Sequence, residues 1–314
     1  MIIKYNNNNV NYLMADNSSM MQFPKILRIE PASSCNFRCI HCPTGLDLNP
    51  SLGIMSEDTF NKIYEKISKY SFKVIVLYHG GEPFLNRNFI KIVTKLKPLA
   101  NTIKTVTNGS LLNDSLIEQI IDSGIDIVEF SLDGVSPEEN DKIRVGGNFQ
   151  KIAENIKKLI VLRNSRNLKK PQIYISNAQI PSSIHQLDSI QVPQYLQDTF
   201  REVCDDIQYK LVYVMSWPGM TINPQPAKLE SNFCDHIVNT FTIRWNGDVV
   251  PCCFDLINMM VMGNVVTEEI ENIWNNEKYQ KLRNDIKNFN PPELCKNCIV
   301  LSSKKRILAQ DFMQ

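Results

Sequence analysis

The stretch Ile26-Leu27-Arg28-Ile29-Glu30-Pro31-Ala32-Ser33-Ser34-Cys35-Asn36-Phe37-Arg38-Cys39-Ile40-His41-Cys42 runs from a short apolar segment straight into three cysteines. Its β-branched, apolar start reads as a strand. The C-x3-C-x2-C run behind it sets three thiolates on one tight loop. Three thiolates hold three irons of a [4Fe–4S] cluster and leave the fourth iron open to an outside ligand. The other readings are a chance clustering and a zinc site, which would normally recruit a fourth ligand nearby, with His41 too close in sequence to turn back comfortably onto the same ion.

Outward from this stretch, a strand–helix alternation runs six times. Strands are expected at 26–30, 73–78, 102–107, 126–131, 172–176 and 208–214. Ser56 is placed to cap a helix with Phe60, Ile63, Tyr64 and Ile67 on one face. Phe89, Ile92, Val93 and Leu96 repeat that spacing. Asn113 caps a third helix (Leu116, Ile117, Ile120, Ile121) that Gly124 stops. Ile152, Ile156, Leu159 and Ile160 mark a fourth. Six βα units in series predict a parallel sheet with helices outside, and six falls short of the eight that close a TIM barrel. The expected fold is α/β, a partial (βα)6 TIM-like barrel. Residues 1–25 read as a lead-in, 26–217 as the barrel, 218–228 as a proline-bearing linker, and 229–314 as a separate, small, cysteine-rich unit. That unit should begin with a hairpin, 240–245 against 248–252, across a type I′ turn at Asn246-Gly247. A helix from about 268, capped by Thr267, should follow.

The chain has 314 residues, 34 basic and 33 acidic, for a formal net charge of +1. This balance carries no electrostatic footprint for nucleic acid and no pull toward a membrane surface. No apolar run reaches the length of a membrane helix, and the N-terminus lacks a signal-peptide pattern, so a cytoplasmic protein is expected. In a reducing compartment the nine cysteines are metal ligands or thiols rather than disulfides.

Three polar segments fall at the C-terminal ends of expected strands, the face of a β/α barrel that carries chemistry. They are Gly80-Gly81-Glu82-Pro83 after the second strand, Thr107-Asn108-Gly109 after the third and Ser131-Leu132-Asp133-Gly134 after the fourth. A second cysteine group comprises Cys234, Cys252, Cys253, Cys295 and Cys298. Gly247 and Cys252 stand in a G-x4-C spacing, so Cys252 is taken as the ligand over Cys253, and Cys295 and Cys298 form a C-x2-C knuckle. By itself such a set is a common structural zinc site.

Taken together, the Cys35, Cys39, Cys42 loop and the Gly-Gly-Glu-Pro turn resemble the radical S-adenosylmethionine (SAM) superfamily. The C-terminal cysteines resemble its SPASM/Twitch extension in the one-cluster form. The position before the last loop cysteine is usually aromatic in that family and is His41 here. The resemblance runs from about residue 27 to 300. It implies a SAM-binding [4Fe–4S] cluster on Cys35, Cys39 and Cys42, and an auxiliary [4Fe–4S] cluster on Cys234, Cys252, Cys295 and Cys298. Gly80, Gly81 and Glu82 would take the amino group of SAM. Asn108 and Ser131 would be further SAM contacts, Arg144 a fork donor to its carboxylate, and adenine would lie near Val214 and Met215. The implied enzyme is a radical SAM oxidoreductase that forms a 5′-deoxyadenosyl radical and abstracts a substrate hydrogen, drawing electrons from a donor such as flavodoxin or ferredoxin. Two-electron oxidation of a sugar or aminocyclitol alcohol is the expected use. A peptide maturase or epimerase, for which Cys204 or Cys253 would supply hydrogen, is the alternative. A zinc-stabilised binding protein is the alternative from another class. His79, Asn177, Gln179, Tyr213 and Trp217 are candidate substrate contacts.

Overall fold

The structure, a computed structural model, describes residues 23–179, 191–203, 206–213, 217, 229–296 and 298–302. Six strands lie side by side in chain order, all parallel. They are β1 (Ile26–Ile29), β2 (Phe72–Val76), β3 (Ala100–Thr107), β4 (Ile127–Ser131), β5 (Gln172–Gln179) and β6 (Gln208–Tyr213). The helices that connect them are α1 (Glu57–Ile67), α2 (Phe89–Leu96), α3 (Asp114–Asp122), α4 (Pro137–Ile143), α5 (Phe149–Ser165) and α6 (Gln194–Phe200). The expected caps form: Ser56 Oγ accepts from Thr59 N, Asn113 Oδ1 accepts from Leu116 N, and Gly124 takes φ +78° after α3. The short α4, too brief for a clear apolar period, was not anticipated.

Side chains alternate across each strand. One face sends Leu27, Ile29, Ile75, Ile103, Val128, Phe130, Ile173 and Ile175 into a core shared with Ile63, Ile92, Ile120 and Ile156 of the helices. The other face is charged. Arg28, Val76 and Lys104 stand in register across β1, β2 and β3, as do Val106, Glu129 and Tyr174 across β3, β4 and β5. A buried apolar outer face and a polar inner face make the open, partial barrel with its helices outside.

The chain after residue 229 joins the same sheet rather than forming one of its own. β7 (Thr240–Ile243) pairs parallel with β1, β8 (Asp248–Val250) and β9 (Gly263–Asn264) follow antiparallel, and the order is β6-β5-β4-β3-β2-β1-β7-β8-β9. This covers the β1 edge, whose backbone groups would otherwise lack partners. The hairpin is present, but its turn differs from the expected type I′. Arg244 N donates to Asp248 O at 2.7 Å, and only Gly247, at φ +89°, is left-handed. That is a three-residue loop ending in a glycine bulge, where type I′ needs two left-handed residues. Thr267 caps nothing. Its hydroxyl bonds back to Asn264 O (3.3 Å), and the next helix, α8, is Ile270–Trp274, with α7 (His236–Asn239) before it. After α8 come α9 (Glu277–Lys287), capped by Asn276, then α10 (Glu293–Lys296) and α11 (Ile299–Ser302). The 218–228 linker, Cys204, Val214 and Met215 lie outside the described residues.

Candidate active site

The first cysteine loop leaves β1 and is pinned from several sides. Arg38 N donates to Val145 O (2.8 Å) and Ile40 N to Ile143 O (3.0 Å), tying it to the end of α4 and the residues that follow. Phe37 is buried beneath it. Glu82 N donates to Ser34 O at 2.9 Å and the Thr44 hydroxyl donates to Gly80 O at 2.7 Å, so the Gly-Gly-Glu-Pro turn is stitched onto the loop. Gly81 is required by this approach: a Cβ there would lie 2.3 Å from Ser34 O and 2.6 Å from Ala32 O.

Glu82 organises this mouth. Its carboxylate accepts from Phe84 N (3.1 Å), Thr107 Oγ1 (2.8 Å) and Asn108 N (2.8 Å), joining the turn to the end of β3. Burial nonetheless raises its pKa above the usual carboxylate value. Asn108 Nδ2 donates to Asn36 Oδ1 (2.9 Å), which brings the β3 end to the cysteine loop. Ser131 stands half-buried at the end of β4.

Arg144 is neither a solvated loop charge nor a free fork. Its Nη1 donates to Asp133 Oδ2 at 2.6 Å, while its buried Nε has no partner. Burial works against its charge, but Asp133 and the Cys39 and Cys35 thiols outweigh burial and hold its pKa above the usual value. His41 Nε2 lies 3.8 Å from the same carboxylate, and Trp217 Nε1 donates to His41 O (2.9 Å). Burial pushes the Cys39 thiol up to about 12, with Cys42 and Cys35 adding to the shift. Thiols held neutral in this way release protons when a metal centre binds.

The second thiol group gathers from three separated segments. Burial raises Cys252 well above the usual value, and Cys253, Cys234, Cys298 and Cys295 all act on it in the same direction. Cys234 is raised to about 12, again chiefly by burial. Among the described residues, no three or more His, Cys, Asp or Glu side chains are arranged to hold a metal ion as they stand. Three neighbouring thiols on the loop and five in the C-terminal group fit iron–sulfur ligation in the chemistry of their donors. Cys253 also lies beside Arg28, so the second group borders the barrel interior.

Glu30, at the end of β1, joins the two regions. Its Oε1 accepts from Gly80 N (2.9 Å), and its Oε2 accepts from Arg244 Nε (3.1 Å) and Trp245 N (3.2 Å). His79 Nδ1 stands 3.3 Å from Oε1, and its Nε2 is buried without a hydrogen-bond partner. Burial would raise the Glu30 carboxyl. His79, Arg244 and the Gly80 N–H override burial and hold it at about 2.

The remaining candidates divide. Asn177 Nδ2 donates to Leu132 O (2.7 Å) and Gly134 O (2.8 Å), a tie between strand ends, and Gln179 donates to Asn177 Oδ1 (2.8 Å). The Tyr213 side chain lies outside the described residues. Sequence reading missed Arg28, Glu30, Lys104 and Glu129. The signal was present as charges at alternate positions inside otherwise apolar strands, Arg28 and Glu30 in one and Lys104 and Glu129 in two others, which sends them to one face.

Residues 29–164 match the family model of the Radical SAM superfamily, and residues 234–299 match that of SPASM, an iron–sulfur cluster-binding domain. The chain is 28% identical to the tungsten-containing aldehyde ferredoxin oxidoreductase cofactor-modifying protein of Pyrococcus furiosus, over 87% of each chain. It is 24% identical to the S-adenosyl-L-methionine-dependent 2-deoxy-scyllo-inosamine dehydrogenase of Niallia circulans, over 87% of this chain and 92% of that one. Among solved structures, BtrN in complex with AdoMet and 2-DOIA superposes with a TM-score of 0.60 at 20% identity, over 92% of this chain and all of that one, a likeness of fold. Among the described residues no helix is long and apolar enough to cross a membrane.

Proposed function

We propose a function for a chain that belongs to the radical SAM superfamily and carries a C-terminal SPASM-type iron–sulfur domain: the two-electron oxidation of a small-molecule alcohol, a sugar or aminocyclitol, to a ketone. The protein is a radical SAM oxidoreductase, and its cofactors are a SAM-binding [4Fe–4S] cluster, an auxiliary cluster and SAM. When bound, these supply the electron that cleaves SAM to a 5′-deoxyadenosyl radical and an acceptor for the electron that the substrate radical gives up. Cys35, Cys39 and Cys42 would hold the first cluster, and Cys234, Cys252, Cys295 and Cys298 the second. Gly81 lets the turn that would receive SAM sit against the loop, and Glu82 fixes that turn to β3.

The observation that carries this reading is the placement of the second thiol group. Because β7 pairs with β1, Cys252 and Cys253 come to the barrel interior beside Arg28, where a substrate radical would form. An electron acceptor there suits oxidation. The dehydrogenase relative points the same way. The cysteines, read as cluster ligands and thiols, suit a reducing cytoplasm and a flavodoxin- or ferredoxin-type donor.

The test is anaerobic turnover of reconstituted protein with reductant, SAM and a panel of cyclitols, aminocyclitols and hexoses. The expected result is one 5′-deoxyadenosine per product, with product two mass units below substrate. A product of substrate mass in H2O that is one mass unit heavier when formed in D2O would replace oxidation with epimerisation. A peptide as the sole substrate would replace the small molecule.

A further inference from the structure

The inner face of the sheet carries charged, largely buried side chains from four strands. Arg28, Lys104 and Lys210 point inward from β1, β3 and β6, and Glu129 points inward from β4. Glu129 is already engaged: Lys104 Nζ donates to its Oε2, and Lys210 Nζ lies 3.8 Å from its Oε1. The Glu30–Arg244 pair next to this face is neutral as a unit. Glu129 is thus taken up by the two lysines, and among the described residues no carboxylate forms an ion pair with Arg28.

Arg28 is the one left over. It is 8% exposed, and neither its Nε nor its Nη1 has a hydrogen-bond partner. Its other neighbours are the Tyr78 ring, 5.4 Å from the guanidinium carbon, and the Cys253 thiol, which takes a hydrogen bond from it and leaves Nε and Nη1 unmet. A buried guanidinium with unsatisfied donors is costly unless something with fixed acceptors meets it. A planar array of N–H donors suits an oxyanion better than a hydroxyl. We infer that the barrel interior recognises an oxyanion on the substrate, a phosphate or carboxylate group, through Arg28, with Lys210 supplying a second positive charge. This rests on the reading that the substrate enters the barrel interior, and it narrows the alcohol to one that carries an acidic group.

The test uses anaerobically reconstituted full-length protein with SAM, titrated calorimetrically with inorganic phosphate, with acetate, and with neutral myo-inositol. One of the two anions is expected to bind, which identifies the group, and myo-inositol to bind far more weakly. Arg28→Gln should weaken that anion by about thirtyfold or more, because a buried charged partner is removed. Arg28→Lys should retain part of the affinity, Lys210→Gln should lose several-fold, and the surface change Lys62→Gln should leave it unchanged. Lys210→Gln keeps the question open to measurement even where Arg28→Gln fails to load iron. Absence of anion binding to the parent protein, or affinity unchanged within twofold in both Arg28→Gln and Lys210→Gln, overturns the inference. So does a shift in the auxiliary cluster's midpoint potential in Arg28→Gln with unchanged anion affinity, which would make the guanidinium a partner of the cluster. Iron content and substrate-free SAM cleavage, read on the same samples, show whether the radical SAM reading still stands when the anion site fails.

Discussion

The two thiol groups are built in opposite ways. The first is local: three cysteines within eight residues, on a loop held by backbone bonds to the end of α4, to the residues after it and to the Gly-Gly-Glu-Pro turn. The second is assembled from positions 234, 252–253 and 295–298, brought together by a hairpin and short helices. Each has a guanidinium beside it, and these differ too. Arg144 at the first group is held by Asp133, whereas Arg28 at the second keeps two nitrogens without partners. A locally specified centre carries its own counter-charge. The assembled one borders a guanidinium that meets a thiol rather than a carboxylate.

Removing one ligand from each group is the strongest way to break this comparison. Cys39→Ala should lose about four of about eight irons and abolish SAM cleavage. Cys295→Ala should lose the other four irons and end product formation, yet still form 5′-deoxyadenosine. Iron, sulfide and nucleoside assays read both. If Cys295→Ala also stops SAM cleavage, the two centres are not separable.

Glycines give the next contrast. Gly81→Ala drives a Cβ into backbone at 2.3 Å and should cost about 3 kcal/mol of stability and most SAM affinity. Gly247→Ala meets a Val266 side-chain methyl at 2.6 Å and is strained by φ +89°, so about 1–2 kcal/mol is expected, with SAM affinity kept. Denaturant melts and SAM titrations separate them.

Glu30 couples the two regions, and pH probes it. Its carboxyl falls from 4.5 to about 2 on folding, so its stabilisation is fully present above about pH 4.5 and is lost as pH falls toward 2, on the order of 3 kcal/mol. Metal-free protein should lose denaturant stability between pH 5 and 3. Glu30→Gln should start lower at pH 7 and lose less over that span. Equal slopes would remove Glu30 from the coupling. The smallest effect compares the caps: Ser56→Ala in the barrel and Asn276→Ala in the C-terminal region should each cost about 1 kcal/mol by thermal or denaturant melts, without changing iron content.

The βα alternation, the caps at Ser56 and Asn113, the stop at Gly124 and the cysteine loop were all legible in the sequence. Each depends on residues a few positions apart, where spacing and side-chain type act directly. Tertiary structure alone decided what depends on distant pairing. It put β7 on the edge of β1, gave Arg244 to Glu30, and gathered Arg28, Lys104, Glu129 and Lys210 on one inner face. Strand neighbours and buried charge partners come from segments tens to hundreds of residues apart. Nothing in local periodicity distinguishes a charge that will meet a carboxylate from one, such as Arg28, that meets a thiol and keeps two nitrogens unpaired.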